Sequence, residues 1–600
     1  MTQAREEISL QDCWNVESLY PTLEVWEEEL KQWQNKKGTS PFLDLITYRG
    51  TLSKNAAHFA SFLNKYLNID RALAKLYTYA HLRHDEDVGN DLYKQAYARV
   101  VHLLSEFREI TAWVEPEILN MSKAQFENFL TDEALKEFHI YLEKIVRLKP
   151  HTLTADMEEL LAQGSIALET AHKSFSAFNN GDLKFPKVVD SNGNYFELTH
   201  GKYQLYLKSE DPVLRESAFK TLHNSFSAYE NTLCEMLQGQ IQTHFFERRA
   251  RKYSSCLEAA LFPHHVDISV YKNLITSVRE NLSSLHRYLN LRKKIMKQSE
   301  LHLWDLSVPL VKAIDFSIDF DKAVDHVVAS VSILGEEYQR ELEKGLKSDR
   351  WVDRYENERK RSGAYSSGCY DSMPYILMNF QGTFSDLMTL SHEAGHSMHS
   401  LLSHRNQPYQ YSHYPIFVAE VASTFNEELL TRYLLEKSLS KEEKFFLINQ
   451  KIDDIRSTFY RQVMFAEFEL KMHEWVESGV PLTPMLLKNE YHQLVLDYYG
   501  SEVNIDQEID IEWGRIPHFY YNFYVYQYAT GISAAFALVD RVYKEGKTAR
   551  DDYLHFLSSG SAKFPLDLLL DAGVDMRKPA AVQATIHQFD KLVTELSYVL

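Results

Sequence analysis

His392-Glu393-Ala394-Gly395-His396 decides how this chain of 600 residues is read. Thr383-Phe384-Ser385-Asp386 ahead of it has the pattern of a capping box. Apolar residues at helical spacing then run to about His404, with Pro408 beyond, so the spacing predicts a helix. Histidines four residues apart on a helix lie one turn from each other on one face, where both imidazoles can hold a single metal ion at little entropic cost. Glu393 stands beside them, placed to hold and deprotonate a water and not to bind the metal. Three fixed positions in five recur by chance in roughly one chain in ten of this size, so the motif needs support from elsewhere.

A catalytic zinc usually takes three protein ligands and leaves one position open. One familiar arrangement adds a glycine three residues after the second histidine and a third histidine six residues after it. His399 and Leu402 occupy those places, which excludes it. His399 lies seven residues from His392, roughly 10 Å along the helix axis, too far to complete the same tetrahedron easily. Two readings stay open for it: a group that contacts a ligand or the substrate, or a helix-face histidine bonded to a carbonyl. Pro415-Ile416-Phe417-Val418-Ala419-Glu420-Val421-Ala422-Ser423 sets Glu420 inside an apolar run. An unpaired carboxylate there is costly, so a strong partner is expected, either a metal ion or an arginine. Glu427, seven residues on along the same face, can orient a ligand histidine, while Glu428 is expected to face solvent. Asp386 is either a further orienting group or only the helix cap.

Downstream, Trp513-Gly514-Arg515-Ile516-Pro517-His518-Phe519-Tyr520-Tyr521-Asn522-Phe523-Tyr524-Val525-Tyr526-Gln527-Tyr528 crowds phenols around a histidine. On a helix begun by Pro517, the side chains of His518, Tyr521, Tyr524 and Tyr528 fall along one stripe. Such donors can steady an oxyanion. The alternative is an aromatic core stripe with hydroxyls reaching water, which suits most of the tyrosines better than it suits His518.

The rest of the chain bounds the setting. It is 44% hydrophobic and 25% charged, which argues against disorder, and its length exceeds one ordinary core, so two or more lobes are expected. With 65 Lys and Arg against 84 Asp and Glu, the net charge of −19 disfavours binding to nucleic acid or to anionic membranes. Arg248-Arg249-Ala250-Arg251-Lys252, the densest basic run, reads as a solvated helix end. No apolar run reaches eighteen residues, and Met1-Thr2-Gln3-Ala4-Arg5-Glu6-Glu7 lacks the apolar core of a secretory signal. The four cysteines, Cys13, Cys234, Cys256 and Cys369, lie far apart without a Cys-x-x-Cys pair, so a reducing cytoplasm is the expected location.

Helical periodicity dominates, as in Leu63, Tyr66, Leu67, Leu73, Leu76, Tyr77, Tyr79 and Ala80. It breaks at Phe185-Pro186-Lys187-Val188-Val189. There Asp190-Ser191-Asn192-Gly193-Asn194 offers a turn before Tyr195-Phe196-Glu197-Leu198, which predicts a β-hairpin. Helix resumes at Ser209-Glu210-Asp211-Pro212. This break divides the chain into an N-terminal helical lobe, 1–185, and a catalytic domain, 186–600. A second, loop-like break at Arg361–Gly368 leads into the β-prone Pro374-Tyr375-Ile376-Leu377-Met378-Asn379-Phe380. That segment would suit a strand that pairs with an extended substrate.

These clusters, in this order, resemble the family of thimet oligopeptidase and oligoendopeptidase F, on the oligoendopeptidase F side. The likeness is carried by 374–380, the helix through His399-Ser400, Phe417–Glu427, Ile516–Gly531, and Phe564-Pro565-Leu566 with Ala572-Gly573-Val574-Asp575-Met576. It is strong from about residue 200 onward. The resemblance implies one zinc ion bound by His392, His396 and Glu420, with Glu393 as general base and later proton shuttle. It further implies that His518 and nearby tyrosines polarise the scissile carbonyl. The tyrosine spacing departs from that of thimet oligopeptidase-like members, which leaves open which of Tyr521, Tyr524 and Tyr528 acts. A mainly α fold is implied, with several helical lobes enclosing a deep substrate channel and a few short strands near the active site. The expectation is therefore a cytoplasmic zinc endopeptidase acting on unstructured oligopeptides, without nucleic-acid or membrane partners. Its oligomeric state stays open, a monomer being compatible. The rivals are a zinc carboxypeptidase-type exopeptidase sharing the two-histidine motif, and a non-catalytic helical peptide-binding protein.

Overall fold

A computed structural model describes residues 3–34, 40–311, 316–438 and 440–599, so Met1 and Thr2 of the N-terminal stretch lie outside it. Among the described residues the chain is helical through most of its length, as the mainly α reading expects. The five strands among the described residues are all short: β1 (Val188–Val189), β2 (Tyr195–Phe196), β3 (Val352–Asp353), β4 (Tyr365–Ser367) and β5 (Tyr375–Leu377).

Two compact units each draw on three stretches of chain. The first takes Met1–Pro150, Phe316–Tyr433 and Arg541–Gly573; the second takes His151–Asp315, Leu434–Asp540 and Val574–Leu600. This division cuts across the one at 185 and 186 expected from the sequence, and the core of the first unit gives the reason. Its long helix Ala56–Glu86, free of Gly and Pro, is capped by Asn55, whose side chain accepts the His58 N–H. Leu63, Leu73, Leu76, Tyr79 and Ala80 on that helix are buried in one hydrophobic cluster together with Cys369, Tyr375 and Leu377. The core built by the N-terminal helices thus takes in the strand just ahead of the motif helix.

That strand, β5, is the middle of a three-stranded sheet, with β3 parallel on one side and β4 antiparallel on the other; Ser366 faces Ile376 across the register. β4 lies within Arg361–Gly368, expected to be a loop. Its two serines carry no apolar alternation to read, and pairing with β5 imposes the extended form. Both edges of β5 are used, so it cannot add an extended substrate as expected for 374–380. Among the described residues, the edges without a strand partner belong to β3 and β4.

In the second unit the hairpin forms as expected. Val188 pairs with Phe196, and the Asp190 carboxylate accepts the N–H groups of Asn192 and Asn194 at 2.9 and 2.8 Å. Asp211 caps the helix Pro212–Ser227, with its proline in the first turn. Arg251 does not end in solvent alone but pairs with Glu158 at 2.7 Å. All four cysteines are buried and free. Among the described residues, no helix is long and apolar enough to cross a membrane.

Four histidines are at most 6% exposed: His223, His244, His399 and His473. Burial holds their basicity down, to about 4 for His223 and His473, to about 3 for His399, and well below the ordinary value for His244. Below about pH 6.5 the unfolded chain binds protons that the folded chain refuses, so stability falls with pH from there to about 4. The slope per fully buried group is about 1.4 kcal/mol per pH unit. Thermal unfolding followed by circular dichroism is expected to show a Tm at pH 4.5 well below that at pH 7. An unchanged Tm would contradict the neutral, buried state of these rings.

Candidate metal centre

The motif lies on the helix Phe384–Asn406, held at its start by the expected capping box. Thr383 Oγ1 accepts the Asp386 N–H at 3.2 Å, and the Asp386 carboxylate accepts the Thr383 N–H at 2.9 Å. Asp386 also accepts from Gln381 N–H, so capping accounts for it. The next helix, Ile416–Lys437, carries Glu420 and crosses the motif helix at Gly395. A Cβ on Gly395 would sit 2.5 Å from the Ala422 carbonyl oxygen and 2.7 Å from Ser423 Cα. Only glycine allows the two backbones to come this close.

That approach brings three donor atoms together. The Nε2 atoms of His392 and His396 are 3.2 Å apart, and Glu420 Oε2 lies 3.4 and 3.5 Å from them. A tetrahedral zinc with bonds of about 2.0–2.1 Å has ligand atoms about 3.3 Å from one another. The triangle fits one face of such a tetrahedron, and two nitrogens with one carboxylate form a donor set that zinc favours. His392 Nδ1 is 2.5 Å from Glu427 Oε1, the partner expected from the spacing. An Nδ1–H donated there turns the Nε2 lone pair toward the other two donors.

Electrostatics follow from the same contacts. Burial works against a charged His392, but the Glu427 hydrogen bond, with Glu393 and Glu420 nearby, raises its basicity to about 9. Burial raises the Glu420 carboxyl, and the opposing pull of His396, His392 and Ser423 brings it down to about 2. Glu393, 7% exposed, is pushed above the ordinary carboxylate value by burial, with the two histidines pulling the other way. The main chain of Ser366, on β4, also works against that rise. That link is not legible in the sequence, because β4 itself is not.

Three expectations are corrected here. Glu420 is not sealed in an apolar core: its side chain is 48% exposed, while Phe417, Val418, Val421 and Ala422 turn their apolar surface into the unit. The apolar run reflects the other faces of the helix. Glu428 does not face solvent; it is buried and accepts from Arg432 Nε at 2.9 Å. His399 is not bonded to a carbonyl through Nδ1, one of the two readings offered for it; its ring lies flat on Tyr414 with centroids 3.6 Å apart and 4° between planes. Its buried Nδ1 has no hydrogen-bond partner among the described residues.

The second cluster lies in the second unit and is built differently from expectation. Pro517 does not begin a continuous helix through Tyr528. A single 3₁₀ turn, Pro517–Tyr520, is followed by Asn522 and Phe523 at φ 49° and 58°, and regular helix starts only at Tyr526. Two successive left-handed residues cannot continue a right-handed helix. The side chains still converge. His518 Nε2 is 3.2 Å from the Tyr528 hydroxyl, and the His518 ring lies 5.7 Å from that of Tyr521 and 6.4 Å from that of Tyr524. Burial lowers the basicity of His518, favouring a neutral ring.

Comparison with known proteins adds an independent line. The profile of Peptidase family M3 matches residues 205–588, and that of Oligopeptidase F matches residues 117–185, ending where the periodicity breaks. Oligopeptidase PepF of Bacillus subtilis is 41% identical over 99% of this chain and 88% of its own length. The plasmid-borne oligoendopeptidase F of Lactococcus lactis subsp. cremoris is 37% identical over 99% and 98%. The crystal structure of oligoendopeptidase-F from Enterococcus faecium superposes with a TM-score of 0.71 at 34% identity, over 96% of this chain and 97% of that one.

Proposed function

This chain belongs to peptidase family M3, in its oligopeptidase F group, and is an endopeptidase; from that premise we propose that it cuts internal bonds of short, unstructured peptides with one zinc ion held by His392, His396 and Glu420. The observation that carries the reading is the spacing of the three donor atoms, 3.2 to 3.5 Å, on two helices locked together at Gly395. Zinc bound there would supply Lewis acidity, which makes water more acidic and polarises a carbonyl.

The remaining chemistry falls to side chains. Glu393 accepts a proton from the attacking water and returns it to the leaving nitrogen, and burial, by making its carboxylate more basic, suits it to both steps. Glu427 fixes the orientation of His392. His518, with the Tyr521, Tyr524 and Tyr528 hydroxyls, is assigned the role of hydrogen-bond donor to the oxyanion, supported by the family likeness and by the mutual contacts of these side chains.

The test is a digest of peptides of graded length, blocked at both ends, read by mass spectrometry alongside metal analysis. Internal cuts and about one zinc per chain are expected, with activity lost on chelation and restored by zinc. Cleavage confined to free C-termini would favour the exopeptidase alternative. Metal-free protein that cuts at full rate would overturn the zinc reading.

A further inference from the structure

The backbone kink at Asn522-Phe523 is expensive in conformation, and its surroundings are expensive in polarity. Phe523 holds a positive φ that bulky residues rarely adopt, directly after a second positive φ at Asn522. Its N–H points into the core of the second unit and donates to Glu469 Oε1 at 2.6 Å. Glu469, on the helix Arg461–Glu477, is fully buried, and its other carboxyl oxygen has no hydrogen-bond partner among the described residues. The Phe523 ring is gripped as well, 4.3 Å from His473 and 5.6 Å from Tyr271 between centroids.

His473 is itself fixed by a chain of buried hydrogen bonds whose direction follows from chemistry. The Glu469 main-chain carbonyl can only accept, so His473 Nδ1–H donates to it at 2.8 Å. His473 Nε2 then accepts from His244 Nδ1–H at 3.1 Å, and His244 Nε2 accepts from the Gln240 amide at 3.0 Å. A helical core has no need of four such polar groups for stability, because apolar residues would serve it better. The chain ends at one point, where Glu469 and His473 meet the left-handed backbone between His518 with Tyr521 on one side and Tyr524 with Tyr528 on the other.

We propose that Glu469 is a positioning residue for the peptidase reaction: by capturing the Phe523 N–H it holds the kink that gathers His518, Tyr521, Tyr524 and Tyr528 into one donor cluster. This rests on the role assigned above to that cluster. Glu469 touches neither substrate nor metal; it acts through the backbone.

The experiment compares Glu469→Leu, which removes the acceptor, with Glu469→Gln, which keeps a carbonyl oxygen in place. Glu469→Leu is expected to lower kcat by about 10- to 100-fold with KM and bound zinc little changed, and Glu469→Gln to retain most of kcat. Hydrogen exchange of peptides covering 518–526 is expected to quicken in Glu469→Leu and to stay slow in Glu469→Gln. If Glu469→Leu does not fold, Glu469→Asp, one methylene too short to reach, supplies the same contrast. Equal losses in the Gln and Leu variants, or unchanged exchange in Leu, would overturn the proposal. His518→Ala is measured beside them. If it leaves kcat within about twofold, the reading of the cluster fails, and the exchange data still decide whether Glu469 holds the kink.

Discussion

Glu393→Gln is expected to lose nearly all turnover while keeping its zinc. The exchange conserves size and shape, so the helix and the three donor atoms 3.2 to 3.5 Å apart should stay where they are. What changes is the capacity to take up a proton, which glutamine lacks in any useful pH range. General-base assistance is worth about 100- to 10,000-fold, and here one residue is assigned both the acceptance of a proton and its return. A fall in kcat of about 1,000-fold or more is therefore anticipated, with KM changed far less. Stopped assays on a quenched peptide, paired with zinc determination on the same preparation, measure both quantities. Turnover within about tenfold of the parent would remove Glu393 from the chemistry. Loss of zinc along with activity would instead make it a ligand.

The features legible in the sequence are those written in local spacing. The two histidines one turn apart, the capping box at Thr383 and Asp386, the hairpin at 188–196 and the placing of Glu427 two turns after Glu420 all depend on residues whose separation in sequence sets their separation in space. Glu420 is legible as a candidate ligand for a partly mistaken reason: its run is apolar because the other faces of its helix are buried, while its own side chain stays half exposed. What cannot be read depends on tertiary pairing. β4 is extended because β5 lies beside it, and Glu428 is buried because of how its helix packs in the unit, which local spacing does not record. The same holds for the stripe after Pro517, where the predicted helix would have spaced His518 and the tyrosines correctly. The structure reaches a similar convergence through a kink at Asn522-Phe523 that has no local signature, since neither residue is glycine. The hydrogen bond from Phe523 to Glu469 spans 54 positions, beyond the reach of any window.

Gly395 makes the second large effect. At first sight it is only a spacer between Glu393 and His396, and in a helix interior alanine would be the more stable choice by roughly 0.5 to 1 kcal/mol. Here the sign reverses. The added methyl would stand 2.5 Å from the Ala422 carbonyl oxygen and 2.7 Å from Ser423 Cα, both backbone atoms that no rotamer change can move. Ordinary contact begins near 3.4 Å, so the helix carrying Glu420 must retreat by most of an ångström. Overpacking of this kind costs about 1 to 3 kcal/mol of stability. The consequence for the metal is larger, because metal–ligand distances tolerate about 0.2 Å. Glu420 sits two residues before Ala422, so it moves with the displaced segment while His392 and His396 stay on the motif helix. Gly395→Ala is thus expected to bind zinc at least about 100-fold more weakly than the parent and to lose activity in proportion, with a modest fall in Tm. Activity that returns at high zinc would identify the lesion as ligand spacing. Undiminished zinc affinity would mean that the helix crossing is softer than its geometry indicates, and that Glu420 reaches the ion without help from the glycine.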